Sequence, residues 1–125
     1  MVTYVDGFLI AIPKKNLKAY IALAKIACKI WLDHGAVDYK ECVGDDLKVK
    51  YGMTFPKLIK QKKDEILIFS FITYKSRKHR DMVNAAVMKD KRMKEACNSK
   101  NMPFKMNRMS YGGFKTIVEG TGKSK

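Results

Sequence analysis

Six side chains have the types that bind or transform small molecules: Asp6, Trp31, His34, Glu41, His79 and Arg80. His79 precedes Val83 by four residues and Ala86 by seven, so it shares their stripe if this stretch is helical. An imidazole half-buried there can act as a general base near neutral pH or hold a ligand carboxylate. The plainer reading is a hydrogen-bonded histidine at a helix start. Glu41 alternates with Val37, Tyr39 and Val43, and Asp6 with Tyr4, Phe8 and Ile10. A carboxylate on an apolar face needs a partner or a raised pKa. With Trp31, His34, His79 and Arg80, the two acids would line a pocket between sheet and helices. Alternatively they form ion pairs with Arg77, Arg80 or Arg108 that fix the register of a dimer.

Other chemistry finds less support. His34 and His79 fall on different elements, with no H-x-x-x-H or C-x-x-C spacing, so neither a metal nor any other cofactor is predicted. Cys42 alternates with Glu41 and reads as a packed thiol. There is no phosphate-binding glycine loop and no nucleophile elbow. Gly112-Gly113 reads as a bulge or a close backbone approach. The segment from Lys48 to Lys63 holds six lysines and no acid, together with Tyr51 and Phe55. Lysines track phosphates and aromatics stack on bases, which makes Lys57, Lys60, Lys62 and Lys63 the candidates for nucleic-acid binding. The plain alternative is a solvated basic surface.

The elements that must position these groups alternate in period. Thr3 to Ile12 reads as a strand ended by Pro13, and Leu17 to His34 as an amphipathic helix with Asn16 as its cap and Gly35 beyond its end. Ala36 to Val43 reads as a second strand. The arm from Leu47 to Lys63 is irregular, a short β-arm or a mobile loop. Ile66 to Tyr74 is apolar nearly throughout, as a strand buried on both faces would be. Ser76 then caps a second helix carrying His79, Val83, Ala86, Val87 and Asp90. Lys91 to Pro103 is irregular, and Arg108 to Val118 is a last strand broken at its glycines. The order β-α-β, basic connection, β-α-β is that of the split βαβ, or ferredoxin-like, α+β fold: a four-stranded antiparallel sheet with two helices on one face. One such domain is expected over 1–119, with a disordered basic tail over 120–125.

That fold leaves the other sheet face bare although it carries large apolar residues. A symmetric homodimer, sheet against sheet, is the expected solution. The net charge of +14, from 26 basic and 12 acidic residues, attracts polyanions but assigns no function. No apolar run reaches the roughly 18 residues of a membrane span, and the N-terminus has no basic n-region, so no membrane association or signal peptide is expected. Three cysteines without paired spacing suit a cytoplasmic protein with reduced thiols.

Several motifs in matching order resemble a known family. They are Thr3-Tyr4-Val5-Asp6-Gly7-Phe8, Trp31 with His34-Gly35-Ala36, and Tyr39-Lys40-Glu41-Cys42 with Asp45-Asp46. Thr54-Phe55-Pro56-Lys57, Ser76 to Asn84, Met102-Pro103-Phe104, Arg108-Met109 and Tyr111-Gly112-Gly113-Phe114 continue the match. This pattern resembles the YbaA-like family of small bacterial proteins, in the dimeric α/β-barrel superfamily. The resemblance implies the same face-to-face dimer and supplies no reaction, since that superfamily holds both enzymes and stress proteins. Two departures stand out: Lys105 where an acid is expected, and the more basic arm. The function expected is the binding or transformation of a small molecule in the pocket. The alternatives are RNA binding through the arm and a non-catalytic regulatory role exerted through the dimer surface.

Overall fold

The two longest strands in the fold lie side by side. In the computed structural model, which describes residues 3–98 and 102–122, strand β1 (Tyr4–Pro13) pairs along its whole length with β3 (Glu65–Tyr74). Their antiparallel register runs from Tyr4 opposite Tyr74 to Pro13 opposite Glu65. Strand β2 (Asp38–Val43) flanks β3 and strand β4 (Met109–Lys115) flanks β1, so the order is β2-β3-β1-β4, antiparallel throughout. Helix α1 (Leu17–Asp33) joins β1 to β2, and helix α3 (Arg77–Lys89) follows β3. The fold is ferredoxin-like α+β.

Alternation decides what each sheet face meets. Tyr4, Ile72 and Tyr74 point to the helices and pack with Ile30 of α1 and Val83 and Val87 of α3. Ile10, Ile12 and Ile68 continue this core against Tyr20. Ile30 is wholly buried, and its truncation to alanine would cost about 2–5 kcal/mol. On the opposite face Leu9, Ala11 and Leu67 are covered by Leu47 and Ile59. The remainder of that face is open, with Phe69 46% and Phe114 64% exposed. The strand expected to be buried on both faces is therefore buried on one, and covered on the other at one end only.

The local signals acted much as anticipated at two caps. The Ser76 hydroxyl accepts from the His79 amide, starting α3. At the end of α1 the Gly35 amide donates to Leu32 and the Ala36 amide to Trp31, and Gly35 sits at φ 106°, where a side chain would be strained. Because Ala36 closes that motif, β2 begins at Asp38 instead of Ala36.

Other expectations are corrected. The lysine-rich arm contains a one-turn helix, α2 (Phe55–Ile59), capped by the Thr54 hydroxyl on the Lys57 amide and stopped by Lys60 at φ 55°. A second short helix, α4 (Lys91–Ala96), lies where irregular chain was expected; Asp90, extended in backbone, ends α3 and caps α4 by accepting from the Arg92 amide. Asn16 does not cap α1; its Nδ2 donates to the Pro103 carbonyl at 2.8 Å. Strand β4 ends at Lys115, which pairs with Tyr4, the first residue of β1. Its glycines form no bulge. Gly113 stays in register opposite Asp6, and a Cβ there would collide with the Tyr4 ring. Within the expected tail, Gly120 and Gly122 are exposed, while 123–125 lie outside the described residues.

Candidate functional site

Between the helix-covered sheet face and α1, α3 and α4 lies a cavity of ≈ 440 Å³. Its floor is sheet and its roof is helix. Four of the six candidate residues line it: Asp6, Trp31, Glu41 and Arg80. Asn16 assists from a distance, because its bond to Pro103 brings the flanking Met102 and Phe104 to the cavity wall. Met88, Met93, Met106 and Met109 add further thioethers, an adaptable apolar lining.

Asp6 is compensated on every side. It is 3% exposed, with Arg80 Nη1 at 3.0 Å from Oδ1 and Asn84 Nδ2 at 3.4 Å from Oδ2. Arg80 and Asn84 stand four apart on α3 and so present one face to the carboxylate. The guanidinium also lies over the Tyr4 ring, 4.9 Å from its centroid. Arg80 Nε comes within 2.9 Å of Asp81 but is not aligned to donate to it, and is buried without a hydrogen bond. Trp31 Nε1 donates to Asn84 Oδ1 at 3.0 Å and to the Tyr74 hydroxyl at 3.1 Å, and Tyr74 in turn donates to Asn84. Burial, then the Asp6 charge, holds the Tyr74 phenol well above the ordinary value.

Glu41 is held differently. Tyr20 donates to Oε1 and Tyr39 to Oε2, each at 2.7 Å. Burial first, and the Glu41 charge second, push both phenols far above 10, so each stays a hydrogen-bond donor. No Lys, Arg or His forms an ion pair with Glu41 among the described residues. Beside it on β3, in register, Ser70 is buried at the cavity, and its hydroxyl has no protein partner among the described residues. A smaller groove of ≈ 310 Å³ between α1 and β2 shares Glu41, Tyr20 and Tyr39 with the cavity and is lined further by Lys25, Cys28 and Cys42.

The two histidines stand outside the cavity. His34 Nε2 lies 2.8 Å from Asp90 Oδ2, joining the end of α1 to the α3–α4 junction. Arg92 bridges Asp90 and Asp33 there, and its hydrogen bond, followed by that of His34, keeps the Asp90 carboxyl well below the usual range. His79 Nδ1 accepts from the Lys75 amide at 3.0 Å and meets the Tyr74 ring edge-on, so it fixes the turn into α3. Arg108 does not reach Glu41 either. It forks onto Glu65, at 3.0 Å and 2.5 Å, and caps the Ile59 and Lys60 carbonyls. Lys57, Lys60, Lys62 and Lys63 are exposed on α2 and the loop after it. Among the described residues no group of three or more His, Cys, Asp or Glu could hold a metal, and no helix is long and apolar enough to cross a membrane.

Sequence reasoning passed over Tyr20 and Asn84. Tyr20 was visible on the apolar stripe of α1, and its hydroxyl signalled a buried polar partner. Asn84 was visible only as a polar residue four beyond Arg80.

The fold and cavity define a ferredoxin-like protein whose polar groups converge under its sheet. By sequence the chain belongs to the family "Protein of unknown function (DUF1428)", matched over residues 3–106. It is 38% identical over 116 residues to Uncharacterized protein YbaA of Escherichia coli (strain K12), a match covering 93% of this chain and 97% of that protein. YbaA of Shigella flexneri is equally similar. These matches agree with the motif resemblance. A structure described as a dimeric ferredoxin-like protein, from an uncultured marine organism, superimposes with a TM-score of 0.58 at 9% identity, over 98% of this chain and 100% of that one. That likeness speaks to the fold alone.

Proposed function

We propose that this protein is a cytoplasmic homodimer that binds a small, largely apolar molecule in the cavity between its sheet and helices. The observation that carries the reading is the ≈ 440 Å³ cavity itself, apolar over most of its wall yet faced by Ser70 and Glu41. Binding sites are commonly of this size and make-up, with few polar groups among many apolar ones. The open sheet face supports the dimer. Phe55 and Phe69 meet at 6.1 Å between centroids, as do Phe69 and Phe71, forming an aromatic patch that the Phe114 ring continues over Gly7 and Gly112. A second sheet would cover it. The dimeric character of the structurally similar marine protein points the same way.

Trp31, the only tryptophan, lines the cavity and makes the test direct. A neutral apolar fluorophore such as Nile red should bind saturably, one per chain, and quench Trp31. Ala24→Phe and, independently, Met88→Trp should remove that binding by filling the cavity. Unsaturable binding, or binding unchanged in both variants, refutes the cavity reading. For the dimer, Phe69→Lys should yield a folded monomer in sedimentation; a wild-type monomer at micromolar concentration refutes it.

A further inference from the structure

We infer that the cavity selects an organic cation, an ammonium group carried on an apolar body, with its charge placed near Glu41. The inference rests on the cavity reading above and names the ligand class. Glu41 is one of 12 acids in a chain with 26 basic residues, yet it draws none of them into an ion pair among the described residues. Asp6, lining the same cavity, is paired with Arg80, so the cavity holds one compensated and one uncompensated carboxylate. Two neutral phenols hold Glu41, and hydrogen bonds from neutral donors orient a carboxylate without cancelling its charge.

The walls around it suit the same class. Tyr39 and Trp31 present rings 6.2 Å apart at 45°, and Tyr20 and Phe104 rings 5.9 Å apart at 59°. All four line the cavity. Their inclined faces make a partial box, and the negative face of an aromatic ring attracts a cation. An anion would meet an unpaired carboxylate there, and a neutral ligand would forgo both attractions. The overall positive charge does not forbid this, because salt at physiological strength screens exposed charges beyond about 8 Å.

The test compares two molecules of nearly equal shape, phenyltrimethylammonium and tert-butylbenzene, titrated against the full chain with Trp31 emission as readout and Nile red as competitor. The cation should bind about tenfold tighter or more, and Glu41→Gln should reduce that preference, the ratio of the two affinities, to about twofold or less. Equal binding, or tighter binding of the neutral molecule, overturns the cation assignment and leaves the cavity reading intact. So does failure of the cation to displace bound Nile red at millimolar concentration. If Nile red itself does not bind, the cavity reading falls and this inference with it. Should Glu41→Gln not fold, the wild-type preference decides alone.

Discussion

Asp6 and Glu41 carry the same chemical group on the same sheet face and line the same cavity, but Asp6 is buried on the inner strand β1, Glu41 is half-buried on the edge strand β2, and their partners differ. Asp6 faces a guanidinium and a carboxamide; Glu41 faces two phenols. The first arrangement neutralises a buried charge and ties β1 to α3. The second orients a charge and leaves it available. Partner charge and depth of burial together separate a carboxylate that holds the fold from one left without a countercharge. His34 and His79 reinforce the point: both looked like site residues by type, and both are taken up by structural contacts, His34 with the distant Asp90 and His79 in the turn into α3.

The largest effect should come from breaking the compensated pair. Arg80→Leu leaves Asp6 buried without its countercharge, and removing one partner of a buried ion pair costs about 3–5 kcal/mol. Adding Asp6→Asn should recover part of that loss, because the double variant no longer buries an unpaired charge. Glu41→Gln should cost only about 1 kcal/mol, since a carboxamide oxygen still accepts from a phenol. Urea unfolding of the four proteins measures all three. Equal losses for Arg80→Leu and Glu41→Gln would erase the distinction between the two acids.

Titration sharpens it. Tyr20, Tyr39 and Tyr74 are raised above their ordinary value, so the stability from their protonated forms is full below about pH 10 and is lost as pH rises beyond it. Phenolate absorbance should show part of the six tyrosines ionising only as the chain unfolds. In Glu41→Gln the alkaline loss should extend less far, because the carboxylate charge is the second cause of the shift at Tyr20 and Tyr39. On the acid side Glu65 is lowered, chiefly by its hydrogen bonds to Arg108. Its contribution is therefore present above about pH 4.5 and is lost as pH falls through the lowered value. Glu65→Gln should flatten the acid limb of a stability profile and leave the alkaline limb unchanged. An unchanged acid limb would show that the Arg108 fork contributes nothing measurable.

Much of this architecture was legible in the sequence because periodicity reports burial. Strands β1 and β3 and helices α1 and α3 are long enough for a pattern to repeat, and Gly35 and Ser76 mark two ends by chemistry that is local. Helices α2 and α4 were not legible. With five and six residues they fall short of two turns, and Thr54 and Asp90 start them by capping and not by any apolar repeat. Strand ends escaped for another reason. Lys115 ends β4 because β1 begins at Tyr4, a fact about the partner strand. Within the site, alternation put Asp6 and Glu41 on apolar faces. It said nothing about which would meet an arginine, because Arg80 reaches Asp6 across 74 positions of sequence.

The smallest effect on the fold should come from the lysine-rich shoulder, which shares no residue with the cavity. Lys57, Lys60, Lys62 and Lys63 are exposed, and what their segment supplies to the structure is backbone: the Ile59 and Lys60 carbonyls accept from Arg108, and the Lys62 amide donates to Glu65. Replacing all four side chains by alanine retains these bonds. Each surface change should therefore alter stability by no more than about 0.5 kcal/mol. Lys60 is the exception to watch. Its φ of 55° is left-handed, and alanine is no better suited to it than lysine, whereas Lys60→Gly alone should be neutral or slightly stabilising. The quadruple variant should keep the Nile red and cation affinities of the wild type while its retention on a polyanion column falls. A loss of cavity binding together with polyanion retention would show that shoulder and cavity act as one site, and the contrast between Asp6 and Glu41 would then describe only half of it.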